Sequence, residues 1–376
     1  RKIRKRETFL NLSKGSYLWS KIIIMFVLSA VQTLTFVLVG NLVLGVQGMF
    51  SDYWIVLFTT SCFANMLGLN ISSAFNSAVT IYILIPFLII PQLLLSGVIV
   101  KFDKLNPTLA KQGGVPLVGE MMTSRWAFEA LAVNQYKANG FEKNFYKYDK
   151  AISIAQYKKV YWIPKLHNKM SKIETEQKEY LKKNETEQDL LLIKNEIQKE
   201  QAILGNKYVF ENLNKLNIKD YTPEVAQSLS AYLNRINEHY INRENSARDG
   251  KDKVVQKLTK DQASKEKYQA LQENCENESL NSLMLNSNDF GERCLEKDGK
   301  LIQRIDPVYL DPIDSKFGRA HFFAPNKRFM GKLIPTFWFN IMVIWFMSIT
   351  LMITLYFDVF KKIIDFFGNI NFKKKA

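Results

Sequence analysis

The chain has 376 residues, with 51 Lys plus Arg against 36 Asp plus Glu, a formal net charge of +15. These averages resemble a soluble protein, but the charge is segregated: residues 22–100 hold only Asp52, whereas residues 101–334 hold 39 basic and 32 acidic side chains. That excludes a wholly soluble globular chain, and because the basic excess is spread over segments flanking apolar runs, no nucleic-acid partner is expected.

An apolar stretch longer than about 18 residues reads as a membrane span, since the hydrocarbon core takes about 20 helical residues to cross. Residues 22–100 are long enough for three, broken at 45–48 and 70–73, which places spans near 22–45, 53–74 and 78–100. A fourth run follows near 335–358. Backbone groups in lipid must pair internally, so all four are expected to be helices. The expected fold class is all-α: a polytopic α-helical membrane protein with three transmembrane helices, then one.

Four crossings put both termini on one side. Arg1, Lys2, Arg4, Lys5, Arg6, Lys14 and Lys21 precede the first span, and Lys361, Lys362, Lys373, Lys374 and Lys375 follow the last. The positive-inside rule therefore makes both termini cytoplasmic in a multi-pass protein of the cell membrane. The loop 101–334 then lies outside, and residues 359–376 form a basic cytoplasmic tail. Residues 1–21 mix Phe9, Leu10, Tyr17, Leu18 and Trp19 with those cations, a pattern suited either to an interfacial helix or to plain juxtamembrane anchoring. The first residue is Arg1, and the sequence reads as part of a longer polypeptide.

In the third span, Pro86 and Pro91 predict a kink, while Asn65, Asn70 and Gln92 suit hydrogen bonds between helices. In the loop, an amphipathic stretch runs from Ser124 to Tyr136. Beyond it, Leu166, Met170, Ile173, Tyr180, Leu190, Ile193, Ile197 and Leu204 fall at helical spacing with a phase break near Asn184. Thr222-Pro223-Glu224 signals a helix start ahead of Val225, Leu229, Tyr232, Leu233, Ile236 and Tyr240. Residues 165–275 read as a long helical hairpin or small bundle outside the membrane, within an insertion and return loop of 141–334. The alternative is a solvated, partly disordered insertion.

Cys275 and Cys294 lie 19 residues apart in this loop, and an oxidising compartment favours a disulfide stabilising by roughly 3 kcal/mol over two free thiols. No phosphate-cradling loop, metal-binding helix or paired-cysteine zinc spacing is present. His167, His239 and His321 are isolated in sequence. No catalytic residue and no metal or cofactor of its own is expected in this chain.

Three segments carry a resemblance. Arg6-Glu7 with Gly15 to Lys21, then Leu69 to Ser73 with Ile85-Pro86-Phe87 and Pro91 to Val100, and Ser124 to Leu131 with Asn134-Gln135-Tyr136, together resemble the C-terminal part of the permease domain of ABCG/White-type ABC exporters. The resemblance implies a cytoplasmic amphipathic connecting helix over 1–21, with Arg6 and Glu7 in the coupling contact to a nucleotide-binding domain. It implies a re-entrant segment within 101–140 that includes Arg125, Phe128 and Glu129. It places Ile90 and Leu93 on the substrate cavity and Val98 and Ile99 in an apolar valve. ATP and Mg would be bound by a nucleotide-binding domain upstream or in a separate subunit, and the assembly would be a homodimer. The hairpin departs from the better-known members and could bind an extracytoplasmic partner.

The function so implied is the permease part of an ATP-driven exporter for an unidentified, amphipathic or lipid-like substrate, by alternating access. Two alternatives are a membrane-anchored coiled-coil scaffold and a mechanotransmitting ABC permease acting on an envelope partner. The latter class places one helix before its large outside domain and three after, the reverse of the order here.

Overall fold

The Ser13 hydroxyl starts the first helix by accepting the Ser16 amide at 3.1 Å, which satisfies a donor that the first helical turn leaves free. In the computed structural model, which describes residues 13–75, 77–102, 105, 114–179, 183–289, 291–312 and 317–373, that helix runs Lys14–Leu44 (α1) and stops at Gly45, φ 67°. The chain divides into two units, one of residues 1–139 with 311–376 and one of residues 140–310.

The first unit is the membrane part. Its helices are α1, Phe50–Ala74 (α2), Ala78–Leu94 (α3), the short Leu117–Glu120 (α4), Thr123–Ala138 (α5), Thr336–Tyr356 and Val359–Lys373. Three of them, α1, α2 and Thr336–Tyr356, are long and apolar enough to cross a membrane. The chain is thus a polytopic α-helical membrane protein.

Lys14–Lys21 forms the first two turns of α1; residues 1–12 of the connecting helix expected over 1–21, Arg6 and Glu7 among them, lie outside the described residues. The third span ends at Leu94 instead of residue 100. At 17 residues it rises about 26 Å, and Gly97, φ 82°, turns the chain out of the helical path.

Polar side chains rivet these helices. Ser61 and Asn65 on α2 reach the Ser29 hydroxyl on α1 at 2.8 and 2.7 Å, and the Trp54 indole donates to the Ala30 carbonyl at 3.2 Å. Asn70 donates to the Leu351 carbonyl at 2.8 Å and accepts from the Thr354 hydroxyl at 3.0 Å. Each such bond adds about 0.6 kcal/mol in a membrane protein. Lys14, at the start of α1, reaches the Tyr356 carbonyl at 2.6 Å, so α1 and Thr336–Tyr356 are antiparallel. At the opposite end of the bundle α3 meets α5, where the Ser124 amide donates to Gln92 Oε1 at 3.2 Å.

The second unit is mainly helical: Tyr146–Tyr157, a π-helical turn Lys158–Trp162, Ile163–Glu179, Lys183–Leu204, Pro223–Leu258, Gln262–Cys275 and Glu278–Leu285. The Thr222 hydroxyl caps the 36-residue helix, and its apolar positions Val225, Leu229, Tyr232, Leu233, Ile236 and Tyr240 are all buried. They pack with Leu166, Met170, Ile173, Leu190, Ile193 and Ile197 in one core; Tyr180 lies outside the described residues. Two acids in this core hold the π-turn. Glu196 accepts the Trp162 indole N–H at 2.7 Å and the Leu301 amide at 2.9 Å, while Glu200 takes Lys158 and the Tyr240 hydroxyl.

Two short antiparallel hairpins complete the fold, Cys294–Lys297 (β1) with Lys300–Gln303 (β2), and Asn326–Phe329 (β3) with Lys332–Pro335 (β4). The first turns through Asp298 and Gly299, φ 50° and 67°, the left-handed pair that a two-residue hairpin needs. The expected Cys275–Cys294 disulfide is not formed, and both thiols are free. The reason is placement: Cys294 is buried on β1 with its sulfur 3.2 Å from the Tyr157 hydroxyl, whereas Cys275 ends its helix beside Gly140.

Candidate functional site

Helix α5 carries Arg125 and Glu129 four residues apart on one face, and both side chains are fully buried. A buried charge is expensive unless paired and hydrogen-bonded. Here the pairing comes from three other parts of the first unit.

Glu129 Oε1 accepts from Lys327 Nζ on β3 at 2.6 Å and from the Phe323 amide at 3.1 Å. Its Oε2 accepts from Asn340 Nδ2, on the last spanning helix, at 3.0 Å. Asn340 also donates to the Trp126 carbonyl at 3.0 Å, so one amide ties that helix to both the backbone and the carboxylate of α5. Lys327, like Glu129, is fully buried. Arg125 Nη1 donates to Glu120 Oε2 at 3.0 Å, and Nη2 lies 3.5 Å from Glu129 Oε2. The guanidinium sits 3.9 Å over the Trp126 ring, the planar stacking that Arg makes and Lys does not.

Two carboxylates balance the two buried cations, and the more exposed Arg319 adds a third cation 3.9 Å from Glu120. Burial alone would raise the Glu129 carboxyl, but Lys327 and Arg125 outweigh it and hold the group below its ordinary range. Glu120 behaves in the opposite way: burial pushes it up, and Arg125 offsets only part of that. Glu129 is therefore the fixed anion of the cluster.

An aromatic bridge leads from the cluster to the end of α3. The Arg125 guanidinium lies 5.9 Å from the Phe322 ring, and Phe322 packs on Phe102 with ring centroids 4.9 Å apart. Both rings close on Gly97, where a Cβ would meet Phe322 at 2.7 Å and Phe102 at 2.8 Å. Phe128 joins the same group through Phe322 and Phe323, at 6.5 and 6.1 Å. The turn so anchored presents Val98 and Ile99, which are 48% and 63% exposed. Ile90 and Leu93 share a face of α3 and are half exposed, and no residue of α3 is buried.

The structure thus brings Arg125, Phe128 and Glu129 together and places Val98 and Ile99 one packed ring away. Ile90 and Leu93 lie apart from the charges. Sequence reasoning missed Glu120, Phe322, Lys327 and Asn340. Asn340 carried a readable signal, a strong hydrogen-bonding side chain within an apolar run. Lys327 carried none, because Asn-Lys-Arg-Phe reads as an exposed strand. Among the described residues no group of His, Cys, Asp and Glu could hold a metal ion.

Residues 1–136 match the family described as ABC-2 type transporter. The matched stretch spans α1 to α3 and ends within α5, so it includes Arg125 and Glu129 but stops before Lys327 and Asn340. No curated protein and no solved structure matches the chain. Together with the long apolar helices, the match likens residues 1–136 to an ABC-2 permease.

Proposed function

We propose that this chain is the C-terminal part of the permease of an ATP-driven exporter of the ABCG/White type. The observation that carries the reading is the ABC-2 match over residues 1–136, which contains Arg125 and Glu129 of α5 and the glycine-anchored turn after α3. ATP and Mg act in a nucleotide-binding domain upstream or in a separate subunit, and two copies of the permease assemble as a homodimer. Both termini are cytoplasmic and the second unit lies outside, as the basic flanks require.

In this reading α3 lines the cavity with Ile90 and Leu93. A helix with no buried side chain in the single chain is what a wall shared with a second copy requires. Val98 and Ile99, doubled by the dimer, form an apolar constriction that excludes water and ions until nucleotide-driven rearrangement opens it. The buried cluster ties α5 to the last span, so that a movement of either reaches the constriction through Phe322 and Gly97. The cavity residues are apolar, which suits an amphipathic or lipid-like substrate.

The test is the double variant Val98→Ala with Ile99→Ala in the intact transporter. It is expected to leak or to hydrolyse ATP out of proportion to transport. Unchanged transport and unchanged coupling would remove the constriction from these two residues.

A further inference from the structure

The chain does not end with its last span. Thr336–Tyr356 gives way at Asp358, whose φ of 51° is left-handed, and a new helix runs Val359–Lys373. The joint is held closed. Lys14 Nζ donates to Asp358 Oδ2 at 2.5 Å and to the Tyr356 carbonyl at 2.6 Å, and the Lys362 amide donates to the Asp358 carbonyl at 3.0 Å. The direction of the last helix is therefore fixed by contacts with both α1 and the span before it.

Its sequence is strongly two-faced. At 100° per residue Val359, Phe360, Ile363, Ile364 and Phe366 fall on one side, with Lys361, Lys362 and Asp365 on the other. Part of the apolar side is spent: Val359, Phe360 and Ile364 are half-buried, and the helix packs against α2 and the last span. Part faces outward, with Ile363 49% and Phe366 62% exposed beside exposed Lys362. Residues 359–376 carry Lys361, Lys362, Lys373, Lys374 and Lys375 against a single Asp365.

Water penalises the exposed Ile and Phe, and hydrocarbon penalises the lysines, so only the boundary between them satisfies both. The partner of such a face is set by charge complementarity, and lysines at the surface attract anionic lipid by roughly 1 kcal/mol each. We propose that Val359–Lys373 lies in the headgroup plane and binds anionic phospholipid, Ile363 and Phe366 entering the acyl region while the lysines meet lipid phosphates. Through the Lys14–Asp358 latch, that lipid contact is mechanically joined to the starting turn of α1. The proposal needs only the membrane setting and does not depend on the transport reading.

The experiment uses the full chain in nanodiscs of phosphatidylcholine alone and of an equal mixture with phosphatidylglycerol, reading amide hydrogen exchange over residues 359–373. Exchange is expected to be slower by about tenfold or more with phosphatidylglycerol, from the attraction of Lys361 and Lys362 to anionic lipid. High salt and the variant Lys361→Gln, Lys362→Gln, Lys373→Gln should each abolish the difference. The variant Ile363→Ser, Phe366→Ser should raise exchange in both lipids. Equal exchange in the two lipids, or protection that follows the oligomeric state instead of lipid charge, would overturn the proposal.

Discussion

Glu129→Gln is expected to destabilise the membrane unit by about 3–5 kcal/mol, the cost of removing one partner from a buried ion pair. The substitution preserves volume, but its single amide oxygen can accept from Phe323 on one side or Asn340 on the other and not from both, so the loss combines one hydrogen bond with Lys327, which stays fully buried without its nearest counter-charge. Thermal unfolding of the detergent-solubilised protein measures it. Glu129→Gln with Lys327→Met should recover much of the loss, since replacing both partners by uncharged groups is often near neutral. A single variant as stable as the wild type would mean that the pair carries no weight.

The same group sets a pH dependence. Because the Glu129 carboxyl is held below its ordinary range, the folded state binds its proton less readily than the unfolded chain. Its contribution is complete above the unfolded value near 4.3 and is lost as pH falls through the depressed folded value. The wild type is therefore expected to lose stability on acidification more steeply than Glu129→Gln.

Gly97→Ala is expected to have the next largest effect, and to act on coupling more than on folding. The backbone there has φ 82°, a region costing a non-glycine residue about 1–3 kcal/mol, and the new Cβ would overlap the Phe322 and Phe102 rings. The turn carrying Val98 and Ile99 must then move off the aromatic bridge. Transport should fall more than thermal stability does. Adding Phe322→Ala removes one of the two ring overlaps, leaving that with Phe102, and keeps the backbone strain, so it should restore stability only in part and transport little. Wild-type transport by Gly97→Ala would show that the turn need not be held there.

The membrane helices were legible because lipid imposes one rule on all of them: the apolar runs had to be helical, and Gly45 ended the first as expected. The end of α3 was not legible, since Leu95 to Val100 are as apolar as the helix before them and only the left-handed Gly97 marks the change. Glu129 is marked in the sequence only by the family resemblance; Arg125 lies four residues away, but Phe323, Lys327 and Asn340 lie about two hundred residues on, and nothing in local spacing points to Lys327. The core of the second unit was legible from its stripe at Leu229, Tyr232, Leu233 and Ile236. Its hairpin turns through Asp298-Gly299, a dipeptide that favours a tight two-residue turn. The cysteine pairing failed for a different reason: separation along the chain says how large a loop would be, not that β1 turns Cys294 toward Tyr157.

The final helix shows the same limit. Its lysines announced a basic tail, yet the periodicity of Ile363, Ile364 and Phe366 makes it an amphipathic element with two distinct faces. Net charge alone could not separate these descriptions.

If this membrane unit works as part of an ATP-driven permease, as proposed, its assembly hydrolyses ATP. The test is magnesium-dependent ATP hydrolysis by the intact protein, purified with its associated subunits and reconstituted in lipid, with every polypeptide of the preparation sequenced. Hydrolysis by a dimeric assembly in which a nucleotide-binding domain carries a phosphate-binding loop is the expected result. An assembly with no hydrolysis and no such domain would contradict it and leave a membrane-anchored scaffold.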